Sequence, residues 1–362
     1  MIRIVRPLIA AALAVALVGP AMSQSAPATV SAAKSADGRP SFDGVWTNAS
    51  STRLERSAQY KTLVVPKEQA DAAAAAARAR TAAANAKTDP NAGAPKDGDA
   101  TAGYNSFWTD GGSSLMHVKG EARSSFITSP EDGRIPFKDR AKSLAQQIQD
   151  GREYASGKGG YEGPEALPLR ERCLISQSDM GGPVMLSGLY NNVYEFHLTK
   201  DYLVITVEMV NDARIFPIYK DAATARAHHK PAVIKQWLGD SVAWWEGDTL
   251  VAETRNINPI QEGRTATPVS PQGSVTERFT RIGDSELNYQ FTVEDPVHYK
   301  SAWSGEYSFK PSNGGRFEYA CHEGNYSIPG ILRGARMAEA DAAAKAVPAK
   351  AVKPAKAAKP TR

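Results

Sequence analysis

The densest chemical stretch of the chain is Cys321-His322-Glu323-Gly324-Asn325-Tyr326, where a thiol, an imidazole and a carboxylate are consecutive. A histidine beside a carboxylate suits general acid/base work, because imidazole titrates near neutrality. His322 and Glu323 are therefore candidate catalytic residues and Tyr326 a candidate ligand contact; a structural histidine at a strand end is the alternative. Zinc needs three or four converging ligands, and no second cluster has the spacing to supply them. The other histidine pair, His228-His229, lies in a polar stretch, so no metal is expected.

A second cluster is Glu208-Met-Val-Asn-Asp-Ala-Arg214, two carboxylates and an arginine at the end of a very apolar segment. Leu203, Ile205, Val207 and Met209 alternate with Val204, Thr206 and Glu208, as the two faces of a strand do. A carboxylate on the ligand face of a barrel has its pKa raised and can act as acid or base. Glu208, Asp212 and Arg214 are candidates for that role. The competing reading is a surface pair worth at most about 1 kcal/mol. Glu253 and Glu277, inside later segments, could join the cluster across neighbouring strands, and Trp245 could offer an aromatic contact.

These residues need a frame, and the run from Tyr190 to Tyr326 reads as one long antiparallel β-meander. In Val242–Thr254 two β-rich halves flank Glu246-Gly247-Asp248, a set of turn residues. The same grammar recurs at Thr199-Lys200-Asp201, Gly283-Asp284-Ser285 and Ser312–Gly315. Strands are expected at 193–199, 202–210, 213–218, 241–246, 249–257, 274–282, 286–294, 303–309 and 316–321. The fold class is mainly β, a meander closed into a barrel with helical and irregular decoration from its N-terminal part.

Around that frame, residues 1–23 have a signal-peptide layout: Arg3 and Arg6, an apolar run from Pro7 to Val18, then Ala21-Met22-Ser23. That run and all later ones fall short of the roughly 20 apolar residues of a membrane span. Residues 24–40 read as a flexible tether, 41–336 as one domain (41–170 decorating, 171–336 the meander), and 337–362 as a disordered basic tail. Pro66 and Lys67–Lys87 predict an outer helix, Thr88–Gly103 a loop and Phe137–Gln149 a further helix.

The formal charge of +4 is misleading. Ala342–Arg362 holds six basic residues and no acid; setting these aside with Arg3 and Arg6 leaves 35 basic against 39 acidic residues. The body is mildly acidic, so the whole-chain charge is no argument for nucleic-acid binding, and no nucleic-acid partner is expected. Two cysteines in an exported chain, Cys173 and Cys321, predict a disulfide, with two buried thiols as the alternative. Closing so long a loop stabilises by about 4–5 kcal/mol in the chain-entropy model.

Gly44-Val45-Trp46 at the start of the fold, with Arg333 and Arg336 near its end, resembles the lipocalin (calycin) signature. There an indole closes one end of a barrel and a guanidinium covers its face. A second resemblance rests on Glu171-Arg-Cys173, Tyr190-Asn-Asn192, Gln236-Trp-Leu-Gly-Asp-Ser241, Trp245–Val251, Glu277-Arg-Phe-Thr-Arg281, Phe291–Pro296 and Tyr319–Tyr326. It covers residues 45–60 and 104–336 and is to an uncharacterised family of exported bacterial proteins. It implies export and a shared fold, and supplies no mechanism. Where that family often has a histidine before Asp-x-Arg, this chain has Asn211; where it often has one before Glu-Arg-Phe, this chain has Gly273-Ser274-Val275. Chemistry resting on those histidines would be lost or changed here.

No Gly-x-Ser-x-Gly elbow, Gly-x-Gly-x-x-Gly turn or P-loop occurs, so no cofactor is expected. Three function classes follow. The first is an exported, periplasmic lipocalin-like protein holding a small hydrophobic or aromatic molecule in a barrel pocket. The second is a cofactor-independent lyase, isomerase or hydrolase on the same barrel. The third is a structural envelope protein whose basic tail meets an anionic cell-envelope polymer.

Overall fold

The computed structural model describes residues 34–35, 38–84, 109–140, 161–167, 169, 171–176, 179–259 and 266–346. The signal-like segment, most of the tether, the stretch 88–103 expected as a loop, positions 141–149 of the helix expected at Phe137–Gln149 and the chain after 346 lie outside the described residues. Phe137 pairs with Tyr299 in an isolated bridge instead of opening a helix.

Nine strands close a barrel. They are β1 (Gly44–Thr47), β6 (Val193–Leu198), β7 (Tyr202–Val207), β8 (Ala213–Tyr219), β9 (Asp240–Glu246), β10 (Thr249–Arg255), β11 (Ser274–Arg281), β12 (Leu287–Glu294) and β13 (Trp303–Pro311). Hydrogen-bonded neighbours follow chain order from β6 to β13, and β1 closes the ring by pairing with both β6 and β13. Outside it, β2 (Val64–Val65), β3 (His117–Val118) and β4 (Glu121–Arg123) form a small sheet, and β5 (Ile127–Ser129) adds to β13. Helix α1 (Lys67–Ala84) lays Ala70, Ala74 and Ala77 inward, the only side-chain size that lets it sit close on this small sheet.

One joint departs from the expected antiparallel meander. Strands β8 and β9 run parallel, in register only at Ile218↔Ala243 and Tyr219↔Trp244. A parallel pair needs a crossover of about a dozen residues or more. Residues 220–239 provide it, with α2 (Ala222–Ala227) on the outer face, capped by Asp221 Oδ1, which accepts from Thr224 N at 2.7 Å. Pro217 explains why the ladder stops where it does. It precedes the paired Ile218 and has no N–H to donate.

The last expected strand, 316–321, is not a strand. Strand β13 already finds partners in β12, β1 and β5, so no edge is left to extend the sheet. The segment is held by side chains instead: Arg316 Nε donates to Glu195 Oε2 at 3.2 Å and Arg316 Nη1 to Asn211 Oδ1 at 2.9 Å. Cys173 and Cys321 are bonded to each other, tying this segment to the stretch before β6. Helix α3 (Ser327–Ala346) then runs ten residues into the stretch read as tail. Its later sequence, Met337-Ala-Glu-Ala-Asp-Ala, is made largely of good helix formers and needs no core.

The lower end of the barrel is closed as the lipocalin resemblance implies, by a different arginine. Trp46 is buried, its Nε1 donating to Phe42 O at 2.9 Å, and the Arg281 guanidinium lies 4.5 Å from its ring centroid. Arg281 also donates to the Gly283 and Asp284 carbonyls, which fix its plane. Arg333 and Arg336 sit on α3, where Arg336 pairs with Glu339 and with the carbonyls of Tyr161 and Glu162. Arg281→Ala is therefore expected to cost about 1–2 kcal/mol by urea unfolding, and Arg333→Ala less than about 0.5 kcal/mol.

Candidate functional site

The lumen is packed. Phe196, Phe216, Phe279, Phe291, Phe309, Tyr289, Tyr307 and Trp303 are fully buried, with ring centroids such as Tyr289–Tyr307 at 4.9 Å and Phe196–Phe309 at 5.2 Å. Alternation along the strands puts these aromatics inside. The upper mouth is stoppered by the segment before β6, whose Met180, Val184, Met185 and Leu186 are buried in the same core. Phenol groups hold its backbone: Tyr194 Oη donates to Met180 O at 3.0 Å, and Tyr307 Oη to Met185 O at 2.8 Å. Met185 N donates to Tyr289 Oη at 3.2 Å.

Within this apolar interior sits one ion pair. Arg214 from β8 meets Glu277 from β11 through two parallel bonds of 2.6 Å, both side chains essentially inaccessible. Glu277 Oε1 also accepts from Tyr289 Oη at 2.6 Å, and Arg214 Nη2 donates to Thr254 Oγ1 at 3.1 Å. Burial opposes the Arg214 charge, yet the Glu277 charge outweighs it and raises the Arg214 pKa. Burial likewise pushes the Tyr289 and Tyr307 phenols well above their usual range, so both stay donors.

Glu208 and Asp212 flank the turn at the upper mouth, where Val210 is held at φ +61°, a strained conformation for a β-branched residue. Burial raises the pKa of both carboxyls. Asp212 Oδ2 accepts from Ser176 N at 2.7 Å, and Glu208 Oε1 from Asn191 Nδ2 at 2.8 Å. Their work is to anchor the stopper. A Cβ on Gly181 would fall 2.5 Å from Asp212 Oδ2, and one on Gly182 3.0 Å from Arg214 Nη1, so only glycine lets the backbone pass this close.

A cleft opens in the wall. Where β8 and β9 part above their short ladder, a cleft of about 730 Å³ opens between them and the crossover. Tyr219, Trp237 and Leu238 give it apolar surface, and Lys230, Lys235 and Ser241 give it polar groups. Ser241 Oγ bonds Thr254 Oγ1 at 2.8 Å, so the cleft wall connects through Thr254 to the buried Arg214–Glu277 pair. The Asp240 carboxylate is taken up by His229 Nδ1 and Lys230 N, each at 2.8 Å. Among the described residues Lys235 Nζ meets only a neutral partner, Asn256 Oδ1 at 3.5 Å. The cleft is therefore aromatic and cationic in character.

The candidate residues scatter. Arg214 and Glu277 come together inside, with Asp212 and Glu208 near them at the mouth. Glu253 points out of the barrel, beneath α2, where it accepts from Arg226 Nε at 2.9 Å and meets His229 Nε2 at 3.3 Å. Trp245 is at the lower end, beside Phe42 and under Arg39. His322, Glu323 and Tyr326 are exposed, Tyr326 by 84 %. Their segment shares the upper end with the 208–212 turn, since Asn211 Nδ2 donates to Tyr319 O at 3.1 Å, whereas Glu253 lies elsewhere, with Arg226 and His229. Among the described residues no group of three His, Cys, Asp or Glu could hold a metal ion. Of the candidate residues, Arg214 also lines the cleft. Trp237 and Ser241 fall within the Gln236–Ser241 motif, and Lys235, just before it, carries no signal in the sequence.

Family models, curated proteins and solved structures give no match to the chain. No helix among the described residues is long and apolar enough to cross a membrane.

The crossover is latched to the wall by charge. Burial opposes the His229 charge, but hydrogen bonds to Glu253 and Asp240 outweigh it and raise its pKa above the ordinary 6.5. For Glu253, burial is outweighed by His229 and Arg226 bonding and by the Arg255 charge, holding it at about 2. A raised histidine stabilises fully below pH 6.5 and loses that contribution as pH rises through its folded value. The lowered carboxyl stabilises above its ordinary 4.5 and loses the effect as pH falls toward 2. The stability gap between wild type and His229→Gln is thus expected to be widest between these limits and to narrow in alkali. Denaturant unfolding across pH reads it; a gap independent of pH above 6.5 contradicts the latch.

Proposed function

We propose that the protein is an exported binder of a small aromatic or apolar molecule bearing an anionic group, held in the wall cleft rather than in the lumen. The observation that carries this is the pairing of a filled lumen with a cleft of about 730 Å³ lined by Tyr219, Trp237, Lys230 and Lys235. An indole and a phenol offer flat apolar area, and a lysine without an acidic partner favours an anion at its edge. The network behind Ser241 holds the wall still, which lowers the ordering cost of binding. The Cys173–Cys321 disulfide and the signal-like N-terminus support an oxidising, extracytoplasmic setting. Turnover is not favoured: Arg214 is engaged by Glu277 in the interior, Glu253 lies beneath α2 and His322 is exposed.

Titration with 1-anilinonaphthalene-8-sulfonate, an aromatic anion, tests the reading on the folded protein. Saturable binding at one site is expected, weakened at least about tenfold, or ~1.4 kcal/mol, by Trp237→Ala and by Lys235→Glu. Binding insensitive to both substitutions, or absent, overturns it.

A further inference from the structure

The crossover that roofs the cleft has a surface of its own. Between Lys220 and Leu238 it carries Lys220, Arg226, Lys230 and Lys235 against a single acid, Asp221, and it includes His228 and the charged-leaning His229. Two residues that line the cleft, Lys230 and Lys235, bracket a turn closed by Ile234 N donating to Pro231 O at 2.8 Å. At its tip Val233 is 85 % exposed and Ile234 46 %, and Ile215 on the facing strand β8 is 57 % exposed. Isolated exposed aliphatics mean little. Here they stand at the tip of a turn whose two shoulders are lysines.

The carboxylates of the neighbouring elements offset part of that charge, while Lys235 has no acidic partner among the described residues. Asp240 is held by His229 and Lys230, Glu253 by Arg226, Arg255 and His229, and Asp221 caps α2. Lysine stems can lie along an apolar boundary while their ammonium groups reach outward. An aliphatic tip with flanking cations matches the interface of a bilayer bearing anionic lipid: the tip enters the acyl boundary and the ammonium groups meet phosphate.

We propose that the Lys230–Lys235 turn docks this protein on an anionic lipid surface, with the mouth of the cleft turned toward the bilayer. The docking rests on the turn's own chemistry, not on the cleft's being a binding site. The two readings therefore fail separately.

Co-sedimentation of the full chain with vesicles tests it. Phosphatidylcholine vesicles containing phosphatidylglycerol are expected to bind at least about tenfold better than phosphatidylcholine alone, with the advantage shrinking as salt rises. The double substitution V233D/I234D should reduce binding to the anionic vesicles at least about tenfold, while its melting temperature and its affinity for soluble anilinonaphthalene sulfonate stay unchanged. K230Q/K235Q should reduce the binding and flatten its salt dependence. Equal binding to the two vesicle types overturns the proposal. So does anionic-vesicle binding that V233D/I234D leaves intact, which would assign it to the basic residues beyond Ala342.

Discussion

The Arg214–Glu277 pair is the constraint from which much of the rest follows. Two opposite charges taken fully out of water lose several kcal/mol of hydration each, and their attraction repays this only with good geometry and further hydrogen bonds. The barrel supplies both. The two charges meet in a fork at 2.6 Å, Tyr289 serves the carboxylate and Thr254 serves the guanidinium. Water is kept out by tilted and edge-to-face aromatics on the inward faces and by the stopper from Met180 to Leu186. The stopper passes close to Arg214 at Gly182 and close to Asp212 at Gly181, where a Cβ would crowd those side chains. Its tether, the bond from Cys173 to Cys321, fixes both the entry and the exit of the chain at that end.

With the lumen filled among the described residues, the binding proposed above falls to the wall, which opens at its parallel joint. The meander pattern predicts an antiparallel partner for β8. The crossover forces a parallel one, and Pro217 ends the pairing after two registered positions. The same crossover then supplies the outer wall of the cleft and the cluster around His229 that holds it in place. Fold and cleft thus have one cause.

The strands were legible because a half-buried strand repeats with period two and its turns are rich in glycine, aspartate and asparagine. Eight of the expected segments became barrel strands, and the disulfide formed as the even cysteine count implies. What could not be read was which face a residue takes and which distant group it meets. Glu253 and Glu277 look alike in the sequence. Glu277 pairs across from Ala252 and points inward, so Glu253, one residue further along β10, points outward. The guanidinium over Trp46 comes from Arg281, inside the Glu277–Arg281 motif, because β11 ends at the closed end of the barrel while α3 lies elsewhere. The cleft left almost no trace, since it arises from the direction of one strand pair.

A double-mutant cycle on Arg214→Met and Glu277→Leu, read by denaturant unfolding, tests the account most directly. Each single substitution strands a charge in the aromatic core and is expected to cost about 3–5 kcal/mol. The double variant removes both charges and should cost far less than the sum, leaving a coupling of at least about 2 kcal/mol. Single substitutions costing under about 1 kcal/mol, or costs that simply add, would contradict a lumen organised around this pair.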